Sequence, residues 1–136
     1  MRILGIDLGT VRIGFAISDP LKMFATSIEE YKRKSLNSDI EHILGLIKEY
    51  EIDTIVLGYP LNMDGTKGIK CTETEEFAKE LAQKTNIKIE YQDERLTTVS
   101  AQKMLIDSGC KLNKRRNVVD KVSASIILQA YLDRRK

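Results

Sequence analysis

The chain has 136 residues, 42% hydrophobic and 31% charged, with a formal net charge of +2. That length fits a single domain over residues 1–136 with a core of its own. The near-neutral charge excludes a globally basic nucleic-acid binder, so any basic site must be local. Cys71 and Cys110 form no Cys-x-x-Cys pair, so reduced thiols, a cytoplasmic setting and no zinc site are expected. No apolar run approaches membrane-spanning length. Arg2 and Asp7 interrupt the N-terminal apolar stretch, so it does not read as a signal peptide.

Arg2 to Asp7 reads as a short buried strand, and Arg12 to Ser18 as its antiparallel partner across a glycine-containing turn. Pro20 breaks the chain, and Met23 to Tyr31 reads as a third strand. Asn37 or Ser38 is a candidate cap for a helix whose Ile40, Ile43, Leu44 and Ile47 fall on one face. Thr54 to Tyr59 is a β-branched run, hence a buried strand. Pro60 to Gly68 is a loop that turns at Asp64-Gly65. A helix over Thr72 to Thr85 presents Phe77, Ala78, Leu81 and Ala82, and Ile87 to Tyr91 is a fifth strand. Thr97 or Thr98 caps a helix to about Asp107, which Gly109 ends. Lys111 to Arg116 reads as a basic loop, and Asn117 onward as a last helix with Val119, Val122, Ile126 and Ala130 on one side. The order β-β-β-α-β-α-β-α-α predicts three antiparallel strands. Right-handed crossovers then place two later strands parallel to the first, with helices covering the sheet.

The stretch Gly5-Ile-Asp-Leu-Gly-Thr-Val-Arg-Ile-Gly14 puts a carboxylate at a strand end. Three readings are open. Gly9 and Thr10 would cradle a nucleotide phosphate while Asp7 holds its metal. Alternatively, Asp7 is itself a ligand of a catalytic cation. The third reading is a solvated hairpin end. Asp93 and Glu94 end the fifth strand, and ligands collect at the carboxyl ends of parallel strands. Those acids should lie two strand spacings, roughly 10 Å, from Asp7. Asp120 opens the predicted last helix, and the small residues Ser123 and Ala124 one turn on would let that helix approach the sheet. Converging acids repel one another unless a cation lies between them, and hard oxygen ligands favour Mg²⁺ or Mn²⁺. Taken singly, each acid also has a plain role, at a strand end or in the first turn of a helix. Lys111, Lys114, Arg115 and Arg116 lie just before Asp120. Such a run is either a solvated charge cluster or a grip on a phosphate backbone. His42 sits beside the apolar face of the first helix and is read as structural.

The segments GIDLGTVRIGFAISD, VLGYPLNMDGT, YQDERLTT and VVDKVSASIILQAYL, in this order, resemble the YqgF family, also called RuvX-like. The resemblance runs from Met1 to about Leu132. It implies an α/β, ribonuclease H-like fold: a mixed five-stranded sheet, three strands antiparallel and two parallel to the first, flanked by helices. It further implies a metal-dependent nuclease with Asp7, Glu94 and Asp120 as catalytic acids and ligands of Mg²⁺ or Mn²⁺. Arg12, Arg95, Thr97, Lys114, Arg115 and Arg116 are the substrate-binding candidates. The expected partner is nucleic acid, a structured RNA or a DNA junction, with no membrane, and the protein a monomer or homodimer. The favoured activity is maturation of the 5′ end of pre-16S ribosomal RNA; resolution of Holliday junctions is the alternative. The strand adjacent to the first ends in Gly58-Tyr59-Pro60 without an acid, so Glu94 must reach from the strand beyond.

Two rivals belong to other classes. ATP-binding proteins of the actin, Hsp70 and sugar-kinase group share the opening turn, but they enclose nucleotide between two lobes. A non-catalytic nucleic-acid binding domain would need the basic residues alone, with the acids structural.

Overall fold

The computed structural model describes residues 1–60, 64–93 and 112–134, the side chains of 112–122 excepted. Its elements are β1 (Arg2–Leu8), β2 (Arg12–Ser18), β3 (Ala25–Lys32), α1 (Leu36–Tyr50), β4 (Ile52–Tyr59), α2 (Ile69–Lys84), β5 (Lys88–Asp93) and α3 (Leu112–Arg134). The sheet order is β3-β2-β1-β4-β5. β2 runs antiparallel to both β1 and β3, while β4 is parallel to β1 and to β5. This is the mixed sheet expected, with the first strand at its centre.

Period-two alternation sends each strand's residues to two separate cores. Leu4 and Ile6 of β1, Ile13 and Phe15 of β2, and Ile55 and Leu57 of β4 face α1 and α2, where they meet Ile40, Ile43, Phe77 and Leu81. Ile3, Ala16 and Val56 face the other way and pack under α3 against Ala124, Ile127, Leu128, Tyr131 and Leu132.

Several boundaries and faces differ from expectation. Ser35, rather than Asn37 or Ser38, caps α1, its side chain accepting from Ser38 N–H. Its carbonyl also accepts from Asp39 N–H at 2.8 Å, which adds a turn to the front of the helix. Helix α2 begins at Ile69, three residues early, and Ala82 is exposed. The buried stripe of α3 is Ala124, Ile127, Leu128, Tyr131 and Leu132, so the predicted face through Ile126 and Ala130 is rotated and both are half-buried. The basic segment is no loop: α3 starts at Leu112, and Lys114, Arg115 and Arg116 lie in its first turns. Asp120 is therefore inside the helix rather than at its start. The predicted helix over Thr97 to Asp107 lies outside the described residues.

Glu90 ties β5 to α3. It accepts a hydrogen bond from the Tyr131 hydroxyl and pairs with Lys88 Nζ at 2.8 Å. The bond from Lys88, followed by that from Tyr131, holds the Glu90 carboxyl below its ordinary range. A carboxyl depressed by folding contributes stability above its unfolded pKa, and that contribution is lost as pH falls through the folded value. Melting temperature should therefore drop below about pH 4. Glu90→Gln should flatten that acid limb in a series of thermal melts; an identical limb would mean that other carboxylates set it.

Candidate active site at the carboxyl edge of the sheet

Asp7 occupies the carboxyl end of the central strand and is half-buried. The odd-numbered residues of β1 face α3, because Ile3 joins the core under that helix while Leu4 and Ile6 join the other. Asp7 therefore faces the α3 side. Strand register places a row of residues across the sheet at its level. Glu30 pairs with Gly14, Gly14 with Asp7, and Gly58 with Gln92. Ile6 pairs with Leu57, which sets Asp7 beside Gly58. Glycine thus occupies the position level with Asp7 on both neighbouring strands.

Helix α3 lies directly on this face. A Cβ built on Gly5 would come within 2.8 Å of Leu128 Cβ and 3.2 Å of the Ala124 carbonyl oxygen. One built on Gly14 would lie 3.5 Å from Ala124 Cβ and 3.7 Å from Asp7 Cβ. The small Ala124 is what admits the helix to the glycine row, as its size suggested. Leu128 over Gly5 and Ala124 over Gly14, the partner of Asp7, show that α3 runs antiparallel to β1. Asp120 is one turn before Ala124 on the same helix face. Its backbone thus lies about 6 Å further toward the carboxyl end of β1.

A cavity of about 210 Å³ opens beside Asp7, lined also by Gly9, Val11, Arg12, Gly14 and Glu30. Arg12 Nη1 reaches Glu30 Oε1 at 3.5 Å across its mouth, with the Arg12 side chain 63% exposed and open to a ligand. On β5, Glu90 and Gln92 share the α3 face, whereas Asp93 pairs with Tyr59 and faces the α2 side with it. Asp93 is thereby removed from the face of Asp7. Glu94, Arg95 and Thr97 lie outside the described residues. The described part of the site thus brings together Asp7, Arg12 and Glu30 around one cavity, beside the helix that carries Asp120, with Gln92 at the same level two strands from Asp7. It places the basic residues Lys114, Arg115 and Arg116 further along that helix, one to two turns before Asp120.

A hard divalent cation fits what is described here. The lining side chains offer carboxylate oxygens, the glycines leave a cradle that a Cβ would narrow, and the cavity has room for water. The Gln92 Oε1 atom is buried and, among the described residues, accepts no hydrogen bond. Its Nε2 donates to the Asp93 carbonyl, which leaves the oxygen's lone pairs to accept a hydrogen bond or to face a cation. Among the described residues no three acid, histidine or cysteine side chains form a cluster. Glu30 and Gln92 were missed from sequence. Only the strand register, invisible in the residue pattern, sets them level with Asp7.

His42 stacks on Tyr31 at 4.1 Å and lies 5.7 Å from Phe15, and Cys71 is buried in the first turn of α2. Neither approaches the Asp7 row.

In its sheet order and helix layers the chain has a RuvC-like α/β fold. Thermus thermophilus RuvC, solved with a Holliday junction substrate, superposes with a TM-score of 0.62 at 13% identity, covering 99% of this chain and 95% of that one. The fowlpox virus Holliday junction resolvase gives 0.56 at 14% identity over 100% of both chains. The family model described as "RuvX: Holliday junction resolvase" matches residues 1–134, and the chain belongs to that family. A relative from Halalkalibacterium halodurans, named "Putative pre-16S rRNA nuclease", is 46% identical over 100% of this chain and 99% of its own length. One from Ruminiclostridium cellulolyticum with the same name is 48% identical over 98% of this chain and 95% of its own.

Proposed function

We propose that the chain is a metal-dependent endonuclease, one domain over residues 1–136, that matures the 5′ end of pre-16S ribosomal RNA in the cytoplasm. The observation that carries this reading is the carboxylate of Asp7, flanked by glycine on both sides and covered by the helix that bears Asp120. The full-length relatives named for pre-16S rRNA support the choice of RNA.

In this reading Asp7, Glu94 and Asp120 hold Mg²⁺ or Mn²⁺. Asp93 lies on the far face, which leaves Glu94 as the acid of that pair. The cation, when bound, supplies an activated water and neutralises charge on the scissile phosphate. Arg12 offers a guanidinium at the cavity mouth, with Arg95 and Thr97 beside Glu94 as further contacts to the strand. Lys114, Arg115 and Arg116 hold phosphates on the approach to Asp120.

The test is a cleavage assay with Mg²⁺ or Mn²⁺ on precursor 16S RNA and on a four-way DNA junction side by side. Cutting of the RNA at its 5′ precursor region supports the reading. Symmetrical cutting of the junction alone would replace it with junction resolution, the activity suggested by the family description, and would call for a two-fold dimer.

Replacing Lys114, Arg115 and Arg116 together with Ala should weaken RNA binding while leaving metal binding intact. If all three contact phosphates, the slope of log K against log salt should shrink by roughly 2 to 3, at about 0.7–0.9 per contact. Cleavage at saturating RNA should fall much less than at low RNA. An unchanged salt slope would return these side chains to solvated surface charge.

A further inference from the structure

The turn that follows Asp7 is held from outside the site. Within it, Gly9 N–H donates to the Arg12 carbonyl at 2.9 Å. A Cβ on Gly9 would meet that same oxygen at 2.4 Å, so the turn has no slack for a side chain there. Arg33, between β3 and α1, grips the turn at two points. Its backbone N–H donates to the Val11 carbonyl at 2.8 Å, and its Nη1 donates to the Gly9 carbonyl at 3.0 Å. Its Nε donates to Asp39 Oδ2 at 2.9 Å. The Asp39 side chain is 1% exposed, and its other oxygen accepts from Lys34 N–H at 3.2 Å. The guanidinium also lies over the Phe77 ring, 5.9 Å from its centroid.

A buried carboxylate is tolerated only with a partner, so Asp39 and Arg33 fix each other. The guanidinium is planar and directs its nitrogens in a rigid fork. Once Nε is held by Asp39, the direction of Nη1 toward Gly9 follows. The turn begins two residues after Asp7, and Leu8 between them packs against the core on the α1 and α2 side. We propose that Arg33, clamped by the buried carboxylate of Asp39, is a positioning residue that fixes the β1–β2 turn and through it the carboxylate of Asp7. This rests on the role given to Asp7 above.

Arg33→Lys is the informative variant. A lysine ammonium keeps its charge beside Asp39 but has a single nitrogen, with no fork to reach the Gly9 carbonyl as well. A merely structural ion pair would be rescued by it. The proposal requires that kcat on precursor 16S RNA at saturating Mn²⁺ fall by roughly ten- to a hundredfold, the scale of a small misplacement of reacting groups. KM should stay within about threefold. Amide exchange at Gly9 and Arg33, the two N–H donors of the turn, should quicken while that of β4 is unchanged, a readout that needs no substrate. Asp39→Asn should show the same pattern. The double variant should be no worse than the more affected single, because the two side chains act as one unit. Wild-type kcat with unchanged exchange at the turn in Arg33→Lys would overturn the proposal, as would a loss confined to melting temperature. Asp7→Asn run alongside separates the two readings. If it retains activity, the role of Asp7 fails, and the exchange data still judge the clamp.

Discussion

Asp7→Asn is expected to abolish cleavage while the protein stays folded. The substitution keeps the shape of the side chain and removes its charge. A carboxylate holding a catalytic cation contributes several kcal/mol to the transition state. At 1.36 kcal/mol per tenfold, its loss should lower the rate by about a thousandfold or more. The same variant has a signature without substrate. Mg²⁺ bound by the folded chain alone raises the melting temperature through linkage. That rise should be largely lost in Asp7→Asn and in Asp120→Asn, as measured by melts with and without Mg²⁺. Equal rises in wild type and both variants would show that these acids share no ion, and wild-type cleavage by Asp7→Asn would end the assignment at this residue.

Gly5→Ala should be damaging out of proportion to its size. Its added carbon would lie 2.8 Å from Leu128 Cβ and 3.2 Å from a helix carbonyl. Neither neighbour is the free end of a flexible side chain, so α3 must move as a body. Overpacking of this kind costs about 1–3 kcal/mol. The displaced helix carries Asp120, so cleavage should fall further than stability predicts. Gly14→Ala is the control. Its carbon would find ordinary contacts at 3.5 Å and 3.7 Å, so stability should barely change. A Gly5→Ala protein with wild-type unfolding midpoint in urea would refute the close seating of α3.

The strands were legible because their chemistry is local. Ile3 to Ile6 and Ile55 to Leu57 are apolar runs too short for helices, and the structure buries them on two faces. The face of α3 was not legible. From Ile126 to Leu132 the helix is apolar on most sides, so periodicity does not single out one stripe. What selects Ala124 and Leu128 is the space above Gly5 and Gly14, a fact of the tertiary fold. The cap of α1 was similarly ambiguous. Ser35, Asn37 and Ser38 are all competent caps, and the pull of Arg33 on Asp39 lies alongside the choice of the earliest. Within the candidate site, Asp7 announced itself by ending an apolar strand at a glycine turn. Arg33, Asp39, Glu30 and Gln92 carried no such signal. Asp39 reads as an ordinary first-turn acid, and its burial depends on an arginine six residues earlier folding back onto it.

The division of the core bears on when the molecule can work. Among the described residues, the layer on the α1 and α2 side is built from residues between Leu4 and Ile89. The opposite layer takes most of its mass from Ala124 to Leu132, packed against strands made far earlier. During synthesis, Ile3, Ala16 and Val56 must wait uncovered until the last described element emerges. Closing that face is a long-range event, and such contacts form late and slowly. The face it closes is the one that holds Asp7. A growing chain can therefore carry a folded half-core while the edge that holds Asp7 still lies open, and that edge is assembled only when α3 docks.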